Sequence, residues 1–320
     1  GAASTGGRPP VWSRLSANVS WLDAKLGLRL LVKNPGLTLV AVFALAIGIP
    51  IGLVPLQMLA ALSAPPPFDD GDRIVGIQHW DIAASNDDRP TVHDFELWRD
   101  ELKSFDQIAA FRPALKNLVG EEGGVEPVRG AEITASAFGI VRVPPLHGRV
   151  LLEGDEAAGA APVVVLGYDL WQTRFGGDPA VVGRTVQLGG EHREVVGVMP
   201  PGFKFPSRRN RFWIPLQARG IDYEWGRGPS VFVFGRLADA VSVDQANAEL
   251  AAIGLRAAAE HPETHETLRP EVLPLLQSIS GLRPRFSVIF TMQSLALLLL
   301  AVACGNVGTL MLARAAARSG

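Results

Sequence analysis

Two histidines four residues apart are the strongest candidates for metal chemistry in this chain of 320 residues. His261 and His265 lie among three glutamates, a composition that suggests the zinc-binding H-E-x-x-H helix of metalloproteases. The segment reads His-Pro-Glu-Thr-His, however, so that proline stands where the motif has its glutamate. Because Pro262 also disfavours one continuous helix through both histidines, the sequence predicts a solvated loop here rather than a zinc site.

The other residues that could do chemistry do not form a catalytic set. The sequence has neither the G-x-x-x-x-G-K-[ST] loop that holds ATP phosphates nor the G-x-S-x-G turn of hydrolases. The acidic run Phe68–Asp72 lacks the later ligands of a calcium loop. Arg208, Arg209 and Arg211 are too few for a nucleic-acid patch on an acidic region. We therefore predict a non-enzymatic chain without catalytic residues, metal or cofactor of its own, and no nucleic-acid partner.

Two long stretches of the chain contain no ionisable residue and indicate the elements around which the rest is organised. They run from Asn34 to Phe68 and from Phe286 to Ala313. About 20 apolar residues suffice for a helix to cross the core of a bilayer. We therefore predict transmembrane helices at residues 37–62 and 286–313.

The charges are distributed unevenly along the chain. Residues 63–283 carry a net charge of −9, whereas the two ends together carry +7. Since basic residues near a span tend to stay cytoplasmic, both ends are predicted to be cytoplasmic and the middle extracytoplasmic. The second span is balanced, with Arg283 and Arg285 outside against Arg314 and Arg318 inside, so the first span decides the orientation.

Basic residues before the first span form a candidate membrane-interface or coupling site. Lys25, Arg29 and Lys33 recur every four residues, as on one face of a helix that lies at the lipid headgroups. Pro35 and Gly36 then break this helix and turn the chain into the span. A generic basic flank explains the same residues equally well. Arg314, which follows the second span, is added to this candidate site. The predicted coupling residues are therefore Lys25, Arg29, Lys33, Pro35, Gly36 and Arg314.

The region between the spans alternates between strand and helix patterns. Helices are predicted to begin at Thr91, to cover 168–175, and to follow Ser242, which forms a capping box with Gln245. Strands are predicted at 73–80, 162–166, 212–216, 230–237 and 271–275, with a hairpin at 186–198 that turns at Gly189-Gly190. This order predicts an α+β domain of mixed sheets and helices.

Four segments of the chain carry a family resemblance: Leu28–Val42, Gly167–Val186, Val195–Phe203 and Ala303–Arg314. Together they resemble the MacB/FtsX-like permeases of ABC transporters, and in particular their MacB-like periplasmic core domain. The resemblance covers nearly the whole chain from about residue 24.

The resemblance implies a non-catalytic permease subunit in the bacterial plasma (inner) membrane. Its partners would be a cytoplasmic ABC ATPase subunit, which binds the ATP, a second permease unit, and membrane lipids. ATP hydrolysis by the ATPase would move the extracytoplasmic domain, for export (efflux) or for mechanotransmission. The resemblance also implies two lobes in that domain, with an inserted lobe at about 143–228.

The predicted domain organisation has five parts. These are a cytoplasmic segment with an interfacial helix (1–36), a span (37–62), a MacB-like periplasmic core domain (63–283), a second span (286–313) and a cytoplasmic end (314–320). The family has four spans, so we expect the chain to be a fragment or half of a longer permease. A two-span sensor with an extracytoplasmic ligand-binding domain is the alternative, and topology alone favours neither.

Overall fold

The computed structural model describes residues 32–33, 35–120, 124–283 and 286–319. The chain divides into two compact units, one of Gly1–Leu59 with Pro284–Gly320 and one of Ala60–Arg283. The second is called the large unit below.

The helices of the described residues differ greatly in length. They are α1 (Pro35–Ser63), α2 (Val92–Glu101), α3 (Ser136–Val141), α4 (Tyr168–Phe175), α5 (Val243–Glu260), α6 (Pro262–His265), α7 (Leu275–Ser280) and α8 (Phe286–Ser319).

The longest helices, α1 with 29 residues and α8 with 34, cover the positions of the two predicted spans. Val32 and Lys33 are helical, and α1 begins at Pro35. Within the described part of the chain, no helix combines the length and the apolar character needed to cross a membrane. The two predicted spans are therefore not confirmed.

The strands of the large unit are β1 (Ile74–Asp81), β2 (Asn86–Asp88), β3 (Phe105–Val119), β4 (Val125–Ile133), β5 (His147–Gly148), β6 (Val163–Leu166), β7 (Thr185–Leu188), β8 (Glu191–Val198), β9 (Phe212–Pro215), β10 (Phe232–Leu237) and β11 (Leu268–Pro274). They form one mixed sheet in the order β11-β1-β10-β3-β4-β9-β6-β8-β5, in which β2 pairs with β1, and β7 pairs with both β3 and β8. The pairs β4–β9 and β6–β8 are parallel.

The predicted α+β domain is confirmed, and so are its locally encoded elements. In the hairpin β7–β8, Leu188 lies opposite Glu191, and Gly189 and Gly190 have φ angles of 66° and 85°. Two residues with positive φ are what a two-residue type I′ turn requires. The backbone N–H of Gln245 donates to the Ser242 hydroxyl at the start of α5, as the capping-box pattern predicts.

The long strands β3 and β4 were not predicted from the sequence. Pro113 lies inside β3, and proline within an apolar run argues against a central strand. Both strands are nevertheless central, because β3 pairs with β10 and β4 pairs with β9 on their far sides. Among the described residues Pro113 pairs only with Ala131 of β4, since the pairing of β3 with β10 ends at Phe111, so the proline interrupts no ladder on its other side.

Strands β5, β6, β8 and β9 follow one another at one end of the sheet, and all lie within 143–228. That segment corresponds to the predicted inserted lobe. The sheet nevertheless continues from β9 into β4, and Ala60–Arg283 form a single compact unit. The boundaries of the lobe stay a prediction.

The sheet is covered on both faces, as strand β10 shows. Phe234 joins a core with Phe138 of α3, whereas Val233 joins a second core with Trp98 of α2 and Leu250 of α5. Successive side chains of a strand point to opposite faces. Helices α2 and α5 therefore pack on one face of the sheet and α3 on the other.

Candidate functional sites in the large unit

A buried arginine fastens the start of the large unit to its sheet. Arg236 on β10 is only 2% exposed. Its guanidinium donates hydrogen bonds to the carbonyl oxygens of Asp69 (2.7 Å), Asp70 (3.3 Å) and Ile140 (2.7 Å). Burial lowers the pKa of Arg236, and the neighbouring Arg142 and Arg73 act in the same direction. The group still stays protonated, since arginine does not lose its proton in proteins.

The residues Ser63–Arg73, called the leading segment, are held by further contacts. Arg73 donates to the carbonyl oxygen of Leu237 (2.9 Å) and to the Asp106 carboxylate (2.8 Å). Gly71 is packed so tightly that a Cβ atom would lie 2.1 Å from the carbonyl oxygen of Pro66. The acidic run Phe68–Asp72 is thus part of a turn that hydrogen bonds and close packing hold in place.

The residues Leu275–Arg283, called the trailing segment, fasten to strand β1. A Cβ atom on Gly76 would lie 2.3 Å from the Cβ of Ser278, so α7 packs directly on the strand backbone. The Arg283 guanidinium lies over the Trp80 ring at 4.7 Å and pairs with Glu271 and Asp87. Both ends of the large unit are therefore fixed to the β1–β10–β11 part of the sheet.

The leading and trailing segments also meet each other. The amide of Gln277 donates to the Ser63 hydroxyl at 3.5 Å. An open, mainly apolar cavity of about 250 Å³ lies between the two segments, lined by Pro65, Pro66, Ile74, Val243, Leu273 and Leu275. An apolar cavity of this kind suits an apolar group rather than a charged one.

A second site is built from three buried side chains on three elements. His79 lies on β1, Asp94 in the first turn of α2, and His265 at the end of α6. Their exposed fractions are 2%, 2% and 3%, and their donor atoms all lie within 4.8 Å of one another. These three residues are called the His–Asp–His cluster below.

The two oxygens of the Asp94 carboxylate have separate partners. Oδ1 lies 2.8 Å from His265 Nε2 and 3.2 Å from His79 Nε2. Oδ2 accepts hydrogen bonds from the backbone N–H (2.7 Å) and the hydroxyl (2.8 Å) of Thr91. Burial by itself would raise the pKa of Asp94, but the His265 and His79 side chains and the Thr91 backbone hold that pKa well below its usual range. The cluster therefore contains an ionised carboxylate.

The prediction of a solvated loop at His261–His265 is wrong for His265. His265 is buried because its imidazole reaches back to Asp94, which is 171 residues earlier in the chain. Its partner in the sequence motif, His261, instead stacks on the Trp225 ring at 4.2 Å and is 30% exposed in its side chain. The structure thus separates the two histidines that the sequence pairs.

The predicted coupling residues lie outside these two sites. Lys33, Pro35 and Gly36 are exposed in the smaller unit. Lys25 and Arg29 lie outside the described residues, and Arg314 lies in α8 with a side chain that is not described. Their role stays a prediction.

Sequence reasoning missed Arg236, Arg283 and the His–Asp–His cluster. One signal was present for Arg236, because it is the one charged residue in Phe-Val-Phe-Gly-Arg-Leu, a strand that is buried along its whole length. A charge in such a strand needs buried hydrogen-bond acceptors. For the cluster no local signal exists, since its members come from three distant segments.

Comparison with known proteins assigns the chain to a family. The profile of the MacB-like periplasmic core domain matches residues 38–253, more than half of the chain. A domain described as part of a permease protein from Porphyromonas gingivalis superposes with a TM-score of 0.50 at 13% identity, over 65% of this chain and 92% of that one. Identity this low shows the fold alone.

Two further solved structures are similar. The extracellular domain of the ABC-type transporter YknZ from Gram-positive bacteria has a TM-score of 0.46 at 16% identity, over 62% of this chain and 99% of that one. The periplasmic region of MacB from Actinobacillus actinomycetemcomitans has a TM-score of 0.47 at 14% identity, over 66% and 94%. No curated protein sequence matches the chain. On the strength of the profile, the chain belongs to the family of ABC-type permeases with a MacB-like periplasmic core domain.

Proposed function

We propose that this chain is a permease subunit that couples ATP hydrolysis by a separate cytoplasmic ATPase to motion of its large unit outside the membrane. The family match over residues 38–253 is the observation that carries the proposal. The absence of an ATP-binding loop from the sequence is consistent with ATP binding on the partner subunit. A second permease unit completes the assembly in this proposal.

The fastened ends of the large unit support the transmission of force. Helix α1 runs directly into the leading segment, and α8 follows the trailing segment. Arg236 ties the leading segment to β10 and Arg283 ties the trailing segment to β11, the strands on either side of β1. A displacement of either segment would then move the sheet as a body, because close-packed interiors deform little.

The proposal places α1 and α8 in the bacterial inner membrane, with the large unit extracytoplasmic. It rests on the uncharged sequence of residues 37–62 and 286–313 and on the excess of basic residues at both chain ends. Lys25, Arg29, Lys33 and Arg314 would then face the cytoplasm, within reach of lipid headgroups and the ATPase. Resistance to carbonate extraction from native membranes tests this placement, and full release at high pH would contradict it.

The central experiment purifies the protein from native membranes and follows its large unit by spin labelling. Ala158→Cys in a Cys304→Ser background gives one exposed label per chain. We expect an ATPase subunit to co-purify in stoichiometric amount. We also expect the distance between labels on the two permease units to differ between ATP-bound and ADP-bound states.

The trailing segment supplies the coupling variant for this experiment. Arg283→Gln removes the contacts to Glu271, Asp87 and Trp80. It should reduce the nucleotide-dependent distance change to less than about half for the same ATP turnover. Arg208→Gln, on an exposed loop, is the matched control and should behave as the parent. A preparation without an ATPase, or label distances that do not depend on nucleotide, would refute the proposal.

A further inference from the structure

We propose that His79, Asp94 and His265 bind a divalent transition-metal ion, with zinc the best match. The three donor atoms are two imidazole nitrogens and one carboxylate oxygen, all within 4.8 Å of one another. This donor set suits zinc, which takes histidine nitrogen and carboxylate oxygen in tetrahedral sites. The proposal is independent of the transport function.

The geometry is close to what coordination requires. Zinc bonds of about 2.0–2.1 Å at tetrahedral angles place neighbouring donor atoms about 3.3 Å apart. Asp94 Oδ1 lies 3.2 Å from His79 Nε2 and 2.8 Å from His265 Nε2. The two distances from Asp94 therefore lie within a few tenths of an ångström of the spacing that the ion requires. The fourth position would be taken by a solvent molecule.

Two of the three ligands are already oriented by outer hydrogen bonds. His265 Nδ1 lies 2.8 Å from the Thr264 hydroxyl, which leaves Nε2 directed at the cluster. Asp94 Oδ2 is held by Thr91, which leaves Oδ1 for the ion. Metal-binding histidines and carboxylates are characteristically held in this way by a second layer of hydrogen bonds.

His79 provides the observation that points to a ligand. Among the described residues, neither of its ring nitrogens has a partner in hydrogen-bond geometry, although the side chain is buried beside Trp98. Nε2 faces Asp94 Oδ1 at 3.2 Å without hydrogen-bond geometry, and a metal ion bound to both atoms would satisfy this nitrogen.

The loop around Trp225 lies beside the cluster. The Trp225 ring lies 6.0 Å from His265 and 5.0 Å from His93. Next to it, a Cβ atom on Gly226 would lie 2.6 Å from the Thr264 side chain. The loop is therefore in direct contact with the residue that orients His265.

Metal content and metal affinity of the full-length protein test the proposal. The Cys304→Ser background removes its one thiol, and a tag without histidine avoids a competing site. After treatment with EDTA and re-addition of ZnCl₂, we expect one zinc ion per chain and a raised unfolding temperature. With CoCl₂ in place of zinc, we expect the visible absorption of tetrahedral cobalt.

The variants separate this site from other histidines. His79→Gln and His265→Gln should each weaken zinc binding by at least about ten-fold and abolish the cobalt spectrum. His192→Gln, exposed on β8, is the matched control and should bind as the parent. If the parent binds no stoichiometric zinc, or if both cluster variants bind it as the parent does, the cluster is a hydrogen-bonded structural element and the proposal is wrong. The metal titration needs no ATPase, so its failure leaves the transport proposal intact.

Discussion

Buried charge in the large unit is tolerated where several hydrogen bonds meet one side chain. Arg236 donates to three carbonyl oxygens, and Asp94 accepts from Thr91 and His265. The half-buried Glu249 of α5 likewise accepts hydrogen bonds from the backbone N–H groups of Lys103 (3.0 Å) and Ser104 (2.9 Å). A desolvated charge is stable only when its hydrogen-bonding capacity is filled in this way.

Glu249 makes a pH-dependent contribution to stability. Burial acts to raise the pKa of Glu249, but the hydrogen bonds from Ser104 and Lys103 outweigh it and lower that pKa. A carboxyl whose pKa is lower in the folded state stabilises the fold above its unfolded pKa, which is about 4.3. This stabilisation is lost as the pH falls through the lower, folded value.

We therefore expect Glu249→Gln to reduce the free energy of unfolding by about 1–2 kcal/mol at pH 7. The difference from the parent should shrink as the pH falls below about 4. Thermal unfolding of the full chain in detergent between pH 7 and pH 3 measures this difference in stability. Glu260→Gln, exposed near the end of the same helix, is the control. A deficit that stays constant with pH would contradict the assigned role of the charge.

At the scale of elements, the leading segment shows how backbone packing sets the position of a turn. Asp70 has a left-handed backbone with φ of 48°, and its carbonyl oxygen faces Arg236. Gly71 follows at a point where the backbone of Pro66 leaves no room for a side chain. The turn thus depends on a glycine for space.

Gly71→Ala should destabilise the large unit by about 1–3 kcal/mol, because the added methyl group must displace the Pro66 carbonyl. Gly154→Ala is a matched control, since a Cβ atom there meets nothing within 4 Å. The stability of this control variant should be unchanged or slightly higher, because alanine restricts the backbone of the unfolded chain and adds no clash in the folded one. The unfolding temperatures of the two variants, measured in parallel, test this predicted loss of stability. Equal values would show that the turn relaxes freely.

At the scale of the whole molecule, the chain passes from one compact unit to the other between Leu59 and Ala60, within α1, and again after Arg283. If force passes between them, the junction before α1 must be stiff as well as the anchors of the large unit. Pro35 begins α1, and proline at the first position of a helix has its backbone angle already set.

Replacing Asn34, Pro35 and Gly36 by alanine should therefore uncouple the assembly. In the spin-label experiment, the triple variant should keep hydrolysing ATP while the nucleotide-dependent distance change falls, as in Arg283→Gln. The physical reason is that alanine favours continuous helix, whereas proline removes a backbone N–H donor and restricts the backbone at this point. Unchanged coupling in the triple variant would exclude this junction from the path.

The sequence by itself determined the elements that short-range interactions encode. The glycine pair at 189–190 specified a hairpin, Ser242 and Gln245 specified a helix start, and apolar runs marked strands β6, β9 and β10. Four segments together also indicated the family, which the profile match confirms. These features depend on residues close together in the chain, so periodicity and turn chemistry reveal them.

Only the tertiary structure decided which distant residues meet. Arg236 binds Ile140 and Asp69 across 96 and 167 residues of chain, and His265 reaches Asp94 across 171. Strand β3 continues through Pro113 because at that residue, within the described chain, it pairs only with β4, and proline is tolerated where one side of a strand makes no ladder bonds. Such contacts are set by the order of strands in the sheet, and no local pattern contains that order. The partners of the two arginine anchors and the His–Asp–His cluster were for this reason visible only in the folded molecule.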